Sequence, residues 1–249
     1  MIRKALVVLA FLSLTAGMSF GESGRLLLST ENKMPALHHL ELGVLGQYQE
    51  IPAVFPAFSD SETYLVEPYL RFGLFRNFTI FTKVPYRSFK PDLGQTEDGL
   101  GDVSAGFELV AYEDVIGFPY IIPHAEASFD TGDEEKGLGY GETRMKLGAS
   151  VGTVVDDTWH YVVDVSYIIC QDVDNFVTLS GGFIWDLNKQ CSLLLEGRYT
   201  DENFENESST IFVQAGMSYK ATDALVFTVY GGSGDKEDVS VGLKTAYSF

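Results

Sequence analysis

From residue 37 to the last residue the chain repeats one grammar. Segments of about ten residues alternate apolar positions with polar, small or charged ones, and turn-forming residues separate them. The alternation predicts strands at 37–48, 63–74, 78–87, 101–112, 119–129, 140–153, 159–169, 175–185, 191–200, 210–220, 224–232 and 239–249. The fourth is the cleanest: Val103, Ala105, Phe107 and Leu109 share one face, and Asp102, Ser104, Gly106 and Glu108 the other. A period of two with strands of this length predicts a closed antiparallel transmembrane β-barrel of about twelve strands, apolar towards lipid and polar towards the lumen.

The connections sharpen this reading. They are short after even strands and mostly longer and acidic after odd ones, which places the short turns in the periplasm and the loops outside. Outward aromatics (Trp159, Trp185, Tyr219, Tyr247 and Phe249) then fall at the periplasmic interface, where an aromatic girdle belongs. The terminal strand, with Tyr247 and Phe249, is the expected signal to the barrel-assembly machinery. A mean hydropathy of +0.05 suits strands with one wet face and not a bundle of membrane helices.

The first residues follow a different pattern. Arg3 and Lys4 precede an apolar run from Ala5 to Ala16, and Ser19-Phe20-Gly21 supplies a small-x-small cleavage site, so residues 1–21 read as a secretory signal. Residues 22–36 carry Pro35 and no clear period, and read as a periplasmic N-terminal arm before the barrel of residues 37–249. Export implies the cell outer membrane, with its lipid and lipopolysaccharide as surroundings. The formal charge of −18 becomes more negative once Arg3 and Lys4 are removed, which excludes nucleic acid as a partner. Cys170 and Cys191 fall at opposite ends of their strands, too far apart for a disulfide, and are expected as free thiols.

The inward face carries the chemistry. Its acids are Glu41, Glu67, Asp102, Glu108, Glu126, Glu142, Asp164 and Glu196. Its bases are Arg71, Lys83, Arg87, Arg144, Lys146, Arg198, Lys220 and Lys244, joined by His124. Acids and bases balance, so the lumen is close to neutral. Either the groups pair across strands because unpaired charge is costly there, or they line a pore that selects polar solutes. Twelve strands tilted near 40° give a backbone diameter of roughly 24 Å, leaving about 10 Å inside the side chains. That favours a narrow channel or ligand slot over an open porin. The excess acid lies in the outer loops. There the run Asp130-Thr131-Gly132-Asp133-Glu134-Glu135 is oxygen-rich but lacks the spacing of a calcium-binding hand, so metal binding stays open. No cofactor motif is present. His124, Glu126 and Ser128 share a face, but Ser128 and His124 are about 13 Å apart along a strand, beyond direct hydrogen bonding, so an enzyme is not expected.

One stretch carries a resemblance. Gly99-Leu100-Gly101-Asp102 opens the fourth strand. Phe129-Asp130-Thr131-Gly132-Asp133 follows the fifth, and Gly137-Leu138-Gly139-Tyr140-Gly141 leads into the sixth. Their spacing resembles the outer-membrane transporters named for the meta-pathway of phenol degradation, with Asp130 where that family usually has proline. The match covers about residues 99–152, and the other strands agree in pattern alone. The resemblance implies a barrel that transports small, apolar molecules, without fixing a substrate. The sequence thus predicts a barrel passing or binding small solutes, with a structural or adhesion barrel and a lipid-modifying enzyme as alternatives.

Overall fold

The computed structural model describes residues 24–31, 33–51, 61–91, 94–112, 119–201, 209–235 and 237–249. The expected signal, residues 1–21, lies outside the described residues, as do Asp92, Glu202, Glu205, Glu207 and Lys236 of the acidic loops.

Twelve antiparallel strands form the wall. They are β1 (Leu40–Ile51), β2 (Ser61–Phe75), β3 in two parts (Phe78–Lys83 and Tyr86–Pro91) and β4 in two parts (Glu97–Leu100 and Ser104–Leu109). Then follow β5 (Tyr120–Ser128), β6 (Arg144–Val155), β7 (Trp159–Ile169), β8 (Phe176–Asp186), β9 (Cys191–Asp201), β10 (Thr210–Lys220), β11 (Leu225–Gly234) and β12 (Glu237–Ser248). Each pairs with its neighbours in sequence, and β1 also pairs with β12 from Glu41↔Ser248 to Glu50↔Val239. The cylinder is closed, which leaves no sheet edge to satisfy in lipid. Phe249 completes the seam by donating its N–H to the Leu40 carbonyl at 2.7 Å.

Both parts of β3 pair with β2, and both parts of β4 pair with β3, so each is one strand with a break. In β3 the break falls at Val84-Pro85, because Pro85 has no N–H to give a ladder. The neighbouring backbone groups are still used: Val84 N–H donates to Pro68 and Gly101 N–H to Pro85, at 3.0 and 2.8 Å. Residues 88–91 and 97–100, expected as loop, instead prolong β3 and β4 beyond the break. Pro91 is tolerated there because it sits at a strand end. Conversely β6 begins at Arg144 rather than at residue 140, because 140–143 belong to a loop with partners of its own.

The face assignments follow the predicted alternation. Val163, Leu195 and Val241 are about half exposed on the outer surface, while Glu41, Ser150 and Ser240 are fully buried inside. Short turns close one end, including Asp156-Asp157, both at positive φ (53° and 52°), which suits the twist of a tight hairpin. Near that end Trp159 stacks on Trp185 (4.9 Å between centroids) and on Phe183 (5.3 Å), a belt suited to the membrane–water boundary. Cys170 and Cys191 are free thiols at opposite ends of the wall, as expected.

Candidate functional site

The site is the lumen, and its most prominent occupant is the chain's own N-terminal segment. Residues 24–31 and 33–36, expected as part of an arm at the periplasmic end, contact the inward faces of strands around the barrel. At the turn end those faces are apolar. Tyr120, Ile122, Val162, Ile184 and Leu194 form a buried cluster that includes Leu26 of the arm. The backbone of the arm is then held by wall side chains. Glu196, itself buried, accepts the N–H groups of Leu27 and Leu28, and Gln214 donates to its second oxygen. Thr30 N–H donates to Ser150 Oγ. Arg71 and Lys244 donate to the carbonyls of Lys33 and Gly24 at 3.0 and 2.9 Å. Arg25 bridges Glu31 of the arm to Asp186 of β8, which His160 and Ser192 also contact. A loop crossing an apolar interior would leave its amides unpaired at a cost of about 1–3 kcal/mol each, so these partners are what permit the arm to stay inside.

Behind the arm the wall charges pair largely across strands. Arg71 lies between Glu41 (3.3 Å) and Glu108 (2.6 Å), and the side chains of all three are mostly or fully removed from solvent. Lys83 donates to Glu126 at 2.8 Å, and Glu126 also accepts from Ser104. His124 meets Asp164 at 2.6 Å, and Ser150 and Ser166 donate to the same carboxylate. In this last cluster the aspartate is the hub. Both hydroxyls bond to it and neither bonds to His124, so the geometry places no base on a serine.

The loop end is narrowed by residues 129–143. Asp102, expected among the lumen-lining groups, holds this loop. Its Oδ1 accepts from Thr131 N–H (3.2 Å) and Gly132 N–H (2.9 Å), and its Oδ2 from Tyr140 N–H (2.7 Å). The motif glycines make this grip possible: a Cβ on Gly139 would stand 2.6 Å from Asp102 Oδ1 and 2.9 Å from Gly132. Leu138 is thereby buried against Gly99 and Gly101. Tyr140 lies beneath the Arg144 guanidinium (3.8 Å) and near that of Arg87 (5.6 Å), so these two expected lumen cations stack on an aromatic at the mouth.

Glu142 pins the next loop. Its carboxylate accepts from the amides of Gln171 and Asp172, both at 2.7 Å, and from Arg144 Nε. Burial alone would raise its pKa, but the Asp172 amide, Arg144 and the Gln171 amide outweigh it and hold the carboxyl below its ordinary value. A lowered folded-state pKa contributes stability that is complete above the ordinary glutamate value and is lost as pH falls through the lowered one. The amide proton shifts of Gln171 and Asp172 should therefore titrate with a midpoint below about 4.3. A midpoint at or above that value, or one unchanged in Glu142→Gln, would contradict the assignment.

Between the arm and the wall lies a cavity of about 190 Å³. It brings together Glu67, Lys83, Glu108, His124, Glu126, Lys146 and Lys244 of the expected set, with Tyr69, Phe81 and Leu45. Arg198 faces inward over Phe212, and Lys220 sits at the turn-end rim, paired with Asp223 at 3.1 Å. Sequence reasoning missed Arg25, Leu26 and Glu31 of the arm and the anchors His160 and Asp186. Among the described residues no group of three or more His, Cys, Asp or Glu is placed to hold a metal ion.

A closed twelve-strand cylinder with a lipid-facing exterior and an occupied lumen defines an outer-membrane type of β-barrel, and the comparisons agree on that fold. An outer membrane channel from Pseudomonas putida F1 superposes with a TM-score of 0.72 over 92% of this chain and 100% of that one, at 14% identity. The KdgM porin in complex with disordered oligogalacturonate superposes at 0.58 over 84% and 99%, with 13% identity. The NanC porin gives 0.58 over 84% and 98%, with 10% identity. No family model matches the sequence, and no curated protein matches it.

Proposed function

We propose that this chain is an outer-membrane channel through which a small solute passes or in which it binds, with the N-terminal arm and the 129–143 loop as its two closures. The observation that carries the reading is the cavity between arm and wall, lined in large part by polar and charged groups, inside a wall built for lipid. The outer apolar surface meets outer-membrane lipid and lipopolysaccharide, and Tyr247 and Phe249 at the seam meet the barrel-assembly machinery. Kinship with the meta-pathway transporters, and with it a preference for small apolar or aromatic solutes, is supported by Asp102. It joins the two loop motifs that carry the resemblance. A structural barrel is the second reading, favoured by the paired charges of Arg71, Lys83 and Arg25.

Reconstitution separates the two. Purified full-length protein in planar bilayers should give small, discrete conductance steps, and liposomes containing it should swell in small uncharged solutes but not in large sugars. Sealed bilayers and no swelling would favour the structural reading.

A further inference from the structure

Most of the buried lumen cations contact a carboxylate: Arg25, Arg71, Lys83 and Arg144 each have one within 3.3 Å. Lys146 and Lys244 differ, and both line the same cavity. Among the described residues Lys146 makes neither hydrogen bond nor ion pair. The carboxylates that act on it electrostatically, Asp164 and Glu126, are already engaged, the first by His124 and two serines, the second by Lys83 and Ser104. Lys244 donates to the neutral carbonyl of Gly24 and stands 5.7 Å from the Tyr69 ring centroid. The cavity's one carboxylate without a hydrogen-bonded partner among the described residues is Glu67. Two ammonium groups thus face one free carboxylate.

An ammonium removed from bulk water and left unpaired is costly, so a compensating negative charge is favoured at this place. The lining also offers apolar surface, from Leu26 and Leu28 of the arm and Leu45 and Phe81 of the wall. A cavity of about 150 Å³ is enough to admit benzene, so the space here suits a single ring or a short chain. We propose that the cavity is a binding site for a small organic anion, its carboxylate seated between Lys146 and Lys244 and its apolar body against Leu26, Leu45 and Phe81. This rests on the solute-binding reading above and gives it a ligand class. A binding site of this design combines an apolar pocket with a few convergent charged groups that fix orientation.

The test uses full-length protein in detergent micelles, so that binding is read without transport. Benzoate is the probe, with benzyl alcohol and benzylamine as matched neutral and cationic shapes, in calorimetric titrations at neutral pH and low salt. Benzoate should bind roughly tenfold or more tightly than benzyl alcohol, the scale of one charge-assisted hydrogen bond. Benzylamine should be weakest. Lys146→Met and Lys244→Met should each remove most of the benzoate preference while leaving benzyl alcohol unchanged, and Glu67→Gln should strengthen benzoate. Heat-modifiable gel migration identifies folded barrels. Equal binding of benzoate and benzyl alcohol by the unaltered protein overturns the proposal, as does a benzoate preference untouched in folded lysine variants. If benzoate binds but reconstituted protein conducts nothing, the site stands and the channel reading fails. Conductance without a benzoate preference has the opposite meaning.

Discussion

Deleting residues 22–36 should convert the narrow lumen into an open one, with single-channel conductance rising several-fold over the full chain. The wall does not need the arm to close, because the β1–β12 ladder begins at Glu41↔Ser248, beyond the deleted segment. What the deletion removes is Leu26 from the apolar cluster and backbone groups from Glu196, Arg71 and Lys244. Water can solvate the polar groups so exposed, whereas the apolar ring of Ile122, Val162, Ile184 and Leu194 is left facing it. Burying a side chain such as leucine is worth about 1.5–3 kcal/mol, so the shortened barrel should be somewhat less stable yet still fold. Unchanged conductance in a barrel with normal heat-modifiable migration would mean that the arm does not block the path. Single substitutions at Glu196 should act in the same direction and more weakly, since the arm has several independent anchors.

Much of this wall was legible in the residues, and the reasons are physical. A strand turns successive side chains to opposite faces, so a membrane barrel must write its inside and outside alternately, and β4, β6, β7 and β12 do so plainly. The strand ends were harder to place where polar residues continue a hairpin past the lipid boundary, as in β3 and β4, because alternation no longer carries a burial signal there. The site was read only in part. Glu126, Asp164 and Glu196 could be assigned to the lumen by parity, but parity does not say which cation reaches which carboxylate. The position of the arm did leave a trace. Around Tyr120-Ile121-Ile122, Tyr161-Val162-Val163, Phe183-Ile184-Trp185 and Leu193-Leu194-Leu195 the turn-end halves of β5, β7, β8 and β9 are apolar on both faces. A water-filled lumen gives no reason for apolar inward residues there, and such runs imply that something apolar packs inside. Asp102 carried a second unused clue: an acidic residue between glycines is suited to gripping backbone amides, not to lining a path.

Arg71→Met should be the most damaging single substitution in the lumen, destabilising the barrel by about 3–5 kcal/mol. Arg71 contacts both Glu41 and Glu108, and its side chain is 12% exposed while that of Glu41 is 1% exposed. Removing the guanidinium leaves two carboxylates of like charge facing the same interior, on β1 and β4, with little water to solvate them. The Lys33 carbonyl of the arm loses its donor at the same time. The loss should appear as a lower urea midpoint in detergent micelles, with the slope of the transition unchanged. The decisive comparison adds Glu41→Gln and Glu108→Gln to the methionine variant. If the damage arises from stranded charge, neutralising both partners should restore most of the stability, since replacing a whole buried ion network is often close to neutral. If it arises instead from lost packing of the arginine stem, the triple variant should remain as unstable as the single one. A cost within about 0.5 kcal/mol, as for an exposed ion pair, would show that water reaches the triad and that the lumen is wetter behind the arm than its geometry implies.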